Sequence, residues 1–155
     1  MERKINQIGI VVKDIQRAVG FYQRAFGVPF QIIDRPKETC QLHGVESCFQ
    51  IKTALGNIAG LQIELIQVLE GRTAHVEFME KYGEGLHHFG IYVEDIEAEI
   101  AACAKDGIEV ISRGDFLGVK WVYVDSARDA GAVMEFIELP KPRAKKTKKE
   151  VVSAP

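Results

Sequence analysis

Two segments of this chain each occur twice, in the same order. The segment QIGIVVKDI at 7–15 returns as HFGIYVEDI at 88–96, with five identical positions. The segment AGLQIELI at 59–66 returns as AGAVMEFI at 130–137, with four identical positions. Two separate matches in one order are poorly explained by chance, so we predict a fold built from two similar modules.

The two modules have the same predicted order of elements, β-α-β-β-β. Each opens with a run of β-branched and aromatic residues, which is typical of a strand, followed by Asp14 or Asp95 at the N-cap position of a helix. Apolar residues at three- and four-residue spacing predict the helices, which Gly27 and Gly107 end. The other strands are expected near 30–33, 45–52, 61–68, 109–112, 120–124 and 133–139.

The length and composition favour one domain with a short charged tail. The chain has 155 residues, 46% hydrophobic and 27% charged, as in soluble globular proteins. We assign a single domain to 1–140, made of modules at about 4–67 and 84–139 with a linking helix at 74–82. We interpret 141–155 as a basic disordered tail.

The charge distribution argues against nucleic acid and membranes as partners. Residues 1–140 carry a net charge of −7 and the tail carries +5. A solvated tail without a specific partner is favoured over an anchor for RNA, a membrane or an acidic protein. The chain has no apolar run long enough to span a bilayer or to form a signal peptide. We therefore expect a cytoplasmic protein.

The three cysteines do not form a recognisable site. Cys40, Cys48 and Cys103 are odd in number, and no pair has C-x-x-C spacing. A disulfide framework and a cysteine-rich zinc site are therefore not expected. Reduced cysteines agree with the expected cytoplasmic location.

Four polar side chains occupy equivalent positions in the two repeats: Gln7, Glu64, His88 and Glu135. Gln7 is equivalent to His88, and Glu64 to Glu135. Because side chains along a strand alternate between its faces, each of the four points away from its apolar neighbours. If the modules pack around a pseudo-twofold axis, the four side chains converge on one centre.

This set of side chains predicts a metal site. Two carboxylates close together in a low-dielectric interior need a proton or a cation. Mixed nitrogen and oxygen ligands suit one divalent ion, Zn, Ni, Co, Mn or Fe, without selecting among them. A solvent-facing position is the ordinary alternative for any one of the four. By strand alternation His87 is expected to point away from His88, and His43 and His75 have no expected partner.

The repeated motif [His/Gln]-Φ-G-Φ-x-V-x-D-Φ, with Φ-E-Φ closing each module, resembles the vicinal oxygen chelate superfamily. This superfamily includes glyoxalase I, methylmalonyl-CoA epimerases, extradiol dioxygenases and bleomycin-resistance proteins. Within it, FMEKYGEGLHHFGIYVEDIEAEI at 78–100 and FYQRAFGV at 21–28 are most similar to the epimerases. The resemblance implies an α+β fold of two βαβββ modules, curled into an open, eight-stranded, cup-shaped barrel around the metal.

The resemblance also implies an activity and roles for the four residues. It places the metal ligands at Gln7, Glu64, His88 and Glu135, and it implies a metal-dependent epimerase, isomerase or lyase that abstracts a proton alpha to a carbonyl. We expect Glu135 to be the catalytic base and Glu64 its counterpart. The implied partners are a small-molecule substrate (an acyl-CoA, a thioester or an alpha-keto compound) and a second copy of the chain in a homodimer.

Three alternatives to the epimerase function remain. Gln7 with Glu64, His88 and Glu135 is similar to the ligand set of some glyoxalase I enzymes, which are lactoylglutathione lyases. An extradiol dioxygenase is disfavoured because Gln7 replaces a histidine that Fe(II) would need. A non-catalytic small-molecule binder, like the bleomycin-resistance proteins, is disfavoured by the complete ligand set.

The second base of some epimerases and the residues that would contact the substrate are not clear in this chain. Some epimerases have a second, non-ligand Glu as a base, and this chain has Ser47 or Gln50 there, depending on the register. Candidates to contact a CoA phosphate or a substrate carboxylate are Lys52, Arg72, Lys81 and Lys120. For each of these cations, a solvated surface position is the simpler interpretation.

Overall fold

The computed structural model describes residues 2–141, so the predicted tail, apart from Lys141, lies outside the described residues. Within this range the chain forms nine strands and four helices. They are β1 (Gln7–Val11), α1 (Ile15–Phe26), β2 (Phe30–Asp34), β3 (Glu38–Leu42), β4 (Val45–Ile58), β5 (Leu61–Gly71), α2 (Ala74–Tyr82), β6 (Gly85–Val93), α3 (Ile96–Lys105), β7 (Val110–Phe116), β8 (Val119–Val124), α4 (Ala127–Ala130) and β9 (Val133–Glu138).

The strands form a barrel with eight positions. Around the ring β1, β5, β4, β3, β7, β8, β9 and β6 follow one another, and β6 pairs with β1. The β1–β5 and β6–β9 pairs are parallel, and the other pairs are antiparallel. The predicted α+β fold of two βαβββ modules in an eight-stranded barrel is confirmed. The resemblance implied an open barrel, but here β3 and β7 close the ring through two residue pairs, Gln41–Arg113 and Leu42–Ser112.

Nine strands fill eight positions because one strand is broken. β2 and β3 both pair with β4, along different parts of its length. Asp34 lies opposite Lys52 and Glu38 lies opposite Phe49, so three residues at the break face two on β4. The middle residue of the break is Pro36, which has no N–H to donate to a ladder. The sequence prediction contained β2 but not β3.

Helices α1 and α3 pack on the outside of the barrel and leave its interior to the site. Ile15 and Val19 of α1 pack on a cluster that includes Leu65 of β5. Ile96 of α3 packs on a cluster that includes Val122 of β8. None of the helices between residues 2 and 141 has the length and apolar character needed to cross a bilayer.

The apolar outward side chains fix which side chains point inward. On β5, Ile63 and Leu65 are buried under α1. Because side chains alternate along a strand, Glu64 between them points into the barrel. The packing of Ile63 and Leu65 against α1 therefore places the Glu64 carboxylate inside the barrel.

Candidate metal centre and active site

The four side chains that the repeat singles out come from four neighbouring strands: Gln7, Glu64, His88 and Glu135. The order of these strands in the barrel is β5, β1, β6, β9. Glu64 and His88 both lie opposite Gly9, and Gln7 and Glu135 both lie opposite Gly90. Residues opposite each other in paired strands share a face, so the structure brings all four side chains together inside the barrel.

The polar atoms of these side chains face one another without forming hydrogen bonds. His88 Nε2 lies 3.1 Å from Glu135 Oε2 and 3.9 Å from Glu64 Oε2. Gln7 Oε1, His88 Nε2 and Glu135 Oε2 are all buried, and none has a hydrogen-bond partner within residues 2–141. Buried polar atoms normally have a hydrogen-bond partner. Three such atoms without a partner in one place therefore indicate that a bound group belongs there.

Two glycines of the repeated motif make room for the ligand side chains. A Cβ atom on Gly9 would lie 1.8 Å from His88 Cε1. A Cβ atom on Gly90 would lie 3.0 Å from Gln7 Oε1. Each glycine therefore leaves space for a candidate ligand of the other module, which explains why a glycine stands at this point in both repeats.

The Gln7 amide is oriented by its neighbour on β5. Gln7 Nε2 donates a hydrogen bond to Gln62 Oε1 at 2.8 Å. This bond fixes the plane of the amide and leaves Gln7 Oε1 free toward the interior. A carboxamide oxygen held in this way is a neutral oxygen ligand.

The charges of the site favour a bound cation. Burial, together with the nearby Glu135 carboxylate, raises the pKa of the Glu64 carboxyl to about 7. Burial lowers the pKa of His88, but the carboxylates of Glu135 and Glu64 outweigh burial and raise it overall. Burial also raises the pKa of Tyr123 well above its usual value, with the same two carboxylates adding to the effect. One or both carboxylates contribute to all three shifts, and a divalent ion would offset their negative charge.

His87 points into the barrel, and the prediction that it points away from His88 is wrong. The pairing of β1 with β6 passes from Gly9–His88 to Ile10–Leu86, so His87 has no opposite residue and forms a β-bulge. A bulge breaks strand alternation and redirects a side chain. His87 is buried, and its Nδ1 lies 3.0 Å from His88 Nδ1.

His75 joins this cluster from helix α2, a contact that the sequence did not indicate. Its ring centroid lies 4.7 Å from that of His87, and its Nε2 lies 3.2 Å from the Tyr123 hydroxyl. Burial lowers the pKa of His87 to about 3 and the pKa of His75 well below its usual value, and neighbouring histidines add to both shifts. Both rings are therefore neutral near pH 7. His43, by contrast, lies at the surface beside Glu77, with Nε2 and Oε2 2.9 Å apart.

Two sets of side chains could hold a metal ion. His75, His87 and His88 bring one ligand atom each within 4.8 Å of one another. We favour the set of Gln7, Glu64, His88 and Glu135, because it uses three of the four buried atoms that lack a hydrogen-bond partner within residues 2–141, the fourth being His75 Nδ1, and because a cation there offsets the two carboxylates. In this set His88 would bind the ion through Nε2, while its Nδ1 lies next to His87 Nδ1; the second ring nitrogen of a ligand histidine is usually held by a neighbour in this way.

A small cavity opens beside the candidate ligands. Its volume is about 50 Å³, which is room for an ion and a few water-sized ligands. The residues that line it are Arg35, Phe49, Ile51, Glu64, Ile66, Thr73, Ala74, His75, Ser112, Trp121, Tyr123 and Glu135.

The second base of the epimerases has no counterpart on β4. Ser47 Oγ donates to the Arg72 carbonyl at 2.8 Å, and Gln50 Nε2 donates to the Arg35 carbonyl at 3.1 Å. Neither lines the cavity, whose β4 wall is formed by Phe49 and Ile51. The carboxylates in the cavity wall are therefore Glu64 and Glu135.

The basic residues singled out from the sequence lie away from this cavity. Lys52 pairs with Asp34, and Lys120 pairs with Glu138. Arg72 pairs with Glu80, and Lys81 lies over the Tyr82 ring. The cation that does line the cavity is Arg35, which the sequence analysis did not identify.

Fold and site together define the class of protein. A barrel of two βαβββ modules, with candidate oxygen and nitrogen ligands on the inner faces of β1, β5, β6 and β9, is the architecture implied by the resemblance to the vicinal oxygen chelate proteins. The sequence profile of the Glyoxalase/Bleomycin resistance protein/Dioxygenase superfamily matches residues 6–124, and the chain belongs to this superfamily.

Relatives within the superfamily include epimerases. The mitochondrial methylmalonyl-CoA epimerase of Homo sapiens is 26% identical over 139 residues, which are 87% of this chain and 73% of that protein. The uncharacterized protein YqjC of Bacillus subtilis (strain 168) is 25% identical over 138 residues, 87% of this chain and 91% of YqjC. A methylmalonyl-CoA epimerase solved with methylmalonyl-CoA and NH4+ superposes with a TM-score of 0.64 at 19% identity, covering 90% of this chain and 96% of the epimerase.

Proposed function

We propose that this protein is a metal-dependent isomerase, similar to methylmalonyl-CoA epimerase, that moves a proton alpha to the carbonyl of an acyl-CoA or similar thioester. The observation that carries the proposal is the convergence of three buried, orphaned ligand atoms beside the Glu64 carboxylate. The metal is one divalent ion, Zn, Ni, Co, Mn or Fe, held by Gln7, Glu64, His88 and Glu135. When bound, it acts as a Lewis acid toward the substrate carbonyl.

The two carboxylates move the proton. Glu135 accepts the proton from the alpha carbon, and the C–H electron pair shifts toward the carbonyl oxygen. Glu64, on the equivalent strand of the other module, holds a proton for return to the alpha carbon. Burial raises the pKa of the Glu64 carboxyl in the metal-free site, whereas metal ligation lowers it, so Glu64 is best suited to carry the proton when it loosens from the ion.

The choice of a thioester substrate rests on the relatives. The human relative is named a methylmalonyl-CoA epimerase, and another epimerase was solved with methylmalonyl-CoA. We propose that this chain, which is 26% identical to the human relative, acts on the same class of substrate. We also propose that the protein acts as a homodimer in the cytoplasm, where its free cysteines Cys40, Cys48 and Cys103 stay reduced.

A glyoxalase I-like lyase is the second candidate. The observation that favours it is the apolar β4 wall, where Phe49 and Ile51 replace a second, non-ligand base. Proton transfer then depends on Glu64 and Glu135 alone. The set of Gln7, Glu64, His88 and Glu135 is also similar to the ligand set of some glyoxalase I enzymes. A non-catalytic small-molecule binder is the outcome if no proton exchange occurs.

Proton exchange at the alpha carbon tests the proposal. The metal-loaded protein is incubated in D2O with methylmalonyl-CoA, or with the glutathione hemithioacetal of methylglyoxal, and deuterium uptake is followed by NMR. We expect uptake with the thioester and a loss of at least about 100-fold in Glu135→Gln. Glu70→Gln is the matched control, because Glu70 is an exposed partner of Lys37. A Glu135→Gln variant with full metal and full exchange would refute the role of Glu135, and uptake with the hemithioacetal alone would favour the lyase.

A further inference from the structure

Arg35 occupies an unusual place in the cavity. Among the residues that line the cavity it is the one Lys or Arg, and it shares the wall with Glu64 and Glu135. Its backbone is fixed at the break between β2 and β3. The Arg35 N–H donates to the Ile51 carbonyl at 3.2 Å, and the Arg35 carbonyl accepts from Gln50 Nε2 at 3.1 Å.

The guanidinium group is held rigidly by two neighbours. Arg35 Nε and Nη2 donate to the two carboxylate oxygens of Glu38 at 2.7 and 2.6 Å. The Arg35 guanidinium carbon also lies 4.0 Å from the centre of the Phe116 ring. The two side chains of the ion pair are 16% and 7% exposed, so the pair is largely shielded from water. Such a group loses little further freedom when it binds a ligand.

One edge of the guanidinium remains free. An arginine has five N–H donors, and Glu38 uses one on Nε and one on Nη2. Nη1 donates no hydrogen bond to any residue in 2–141. The edge formed by Nη1 and the second Nη2 hydrogen matches the two oxygens of a carboxylate.

Arg35 gives the cavity wall a positive charge that can bind a substrate carboxylate. A bound divalent ion would offset Glu64 and Glu135, and the Arg35 guanidinium is a further cation in the same wall. Arg35 lines the same cavity as Glu64 and Glu135, so a carboxylate bound by Arg35 would lie beside the two groups that move the proton. The other candidate cations do not line the cavity, so they cannot bind a carboxylate there; they are Lys52, Arg72, Lys81 and Lys120.

We propose that Arg35 binds a carboxylate of the substrate, which makes the preferred substrate class an acyl thioester bearing a carboxylate near the alpha carbon. This inference rests on the proposed function. Glu38 and Phe116 are positioning residues, because they contact the guanidinium and not the substrate. A structural role in holding β2 against β3 would give Arg35 no preference among thioesters.

Binding of two matched thioesters tests the proposal. Methylmalonyl-CoA and propionyl-CoA differ only in the carboxylate, so the ratio of their Kd values isolates it. Isothermal titration calorimetry gives this ratio for the wild-type protein, for Arg35→Gln and for Arg35→Gln/Glu38→Gln. The double variant avoids leaving the Glu38 carboxylate buried without a partner, and thermal unfolding checks that both variants fold. Lys37→Gln is the matched control, because Lys37 is an exposed cation two residues away that pairs with Glu70.

We expect the wild-type protein and Lys37→Gln to bind methylmalonyl-CoA about 10- to 100-fold more tightly than propionyl-CoA, as charge-assisted hydrogen bonds predict. In both Arg35 variants the ratio falls close to one. An unchanged ratio in a folded variant overturns the proposal, and equal weakening of both thioesters assigns Arg35 to a CoA phosphate instead. Proton exchange by a wild-type protein that shows no preference refutes the Arg35 role alone. Failure to bind either thioester refutes both the role and the acyl-CoA function.

Discussion

Gly9 is the single residue on which the geometry of the site depends most. It lies opposite both Glu64 and His88, and the His88 ring fills the space where its side chain would be. The repeat suggested that the polar side chains carry the chemistry, but the glycine beside them is what allows His88 to reach the centre. Its constraint is close approach and not backbone conformation.

Gly9→Ala is expected to remove the metal site. The added Cβ would lie 1.8 Å from His88 Cε1, so the ring must leave its position. We expect a loss of about 3 kcal/mol or more in the free energy of unfolding, measured by urea titration, and loss of bound metal.

A second glycine provides the control for this substitution. Gly20 lies inside α1, and the nearest atom to an added Cβ is Arg24 Nη1 at 3.4 Å, at the end of a flexible side chain. Gly20→Ala should raise the free energy of unfolding by about 0.5–1 kcal/mol and keep the metal. A Gly9→Ala variant that behaves like Gly20→Ala would contradict the structure of the site.

The buried histidines predict that the protein, when free of metal, loses stability in acid. Burial lowers the pKa of His87 from an unfolded value near 6.5 to about 3. Between these values the unfolded chain binds a proton that the folded protein does not, so the free energy of unfolding falls as the pH drops from about 6.5 toward 3. His87→Gln should reduce this slope in urea titrations across the pH range, while His75 sustains part of it. A slope unchanged by the substitution would show that His87 is not buried in its neutral form.

The positions of the candidate ligands could be predicted, but their surroundings could not. Internal symmetry placed Gln7, Glu64, His88 and Glu135 at equivalent points, and the structure brings them together; their role as ligands stays a prediction. His87 was predicted wrongly because a bulge breaks the alternation on which the prediction relied. Arg35 was missed because its inward position depends on the strand break beside Pro36. The hydrophobic periodicity of the sequence does not predict this break.

The first helix of each module begins at an equivalent aspartate. Asp14 accepts a hydrogen bond from the Arg17 N–H, and Asp95 accepts from the Glu97 and Ala98 N–H groups. Both caps were predicted from the repeat and are confirmed. These helices lie outside the barrel, so their start positions determine which strand residues they cover.

Removal of either cap should destabilise the fold by a similar amount. Asp14→Ala and Asp95→Ala should each lower the free energy of unfolding by about 1 kcal/mol, because each leaves first-turn N–H groups without an acceptor. The two helices pack on different clusters, so the double variant should lose the sum. Asp34→Ala is the control in the same chemical titrations, since its pairing with Lys52 is at the surface. Losses no larger than that of the control would contradict the capping role.

Strand positions were predicted better than strand lengths. The predicted strands near 30–33 and 120–124 agree closely with β2 and β8, whereas β4 extends to Ile58, beyond its predicted end near 52. The reason is the long pairing of β4 with β5, which runs from Phe49–Gly71 to Ile58–Leu61. Alternation within one segment does not reveal how far its partner continues. The short helix α4 was not predicted either, because its four residues span barely one turn.

For the whole molecule, the two modules meet at the candidate metal centre. Gln7 and Glu64 belong to the first module, and His88 and Glu135 belong to the second. The centre lies beside the β1–β6 pair, which joins the modules, so a bound ion would tie them together. An ion that binds only the folded chain would also stabilise it as a whole.

Metal content is the most direct test of this account. Elemental analysis of the untagged, full-length protein is compared with that of Glu135→Ala, His88→Ala and the surface control His43→Gln. We expect about one divalent transition metal ion per chain in the wild-type protein and in His43→Gln, and its loss in the other two. A wild-type protein that binds no metal even after reconstitution would contradict the central claim. Full retention of the ion in Glu135→Ala, with loss in a His75→Ala variant, would instead place the ion on the three histidines.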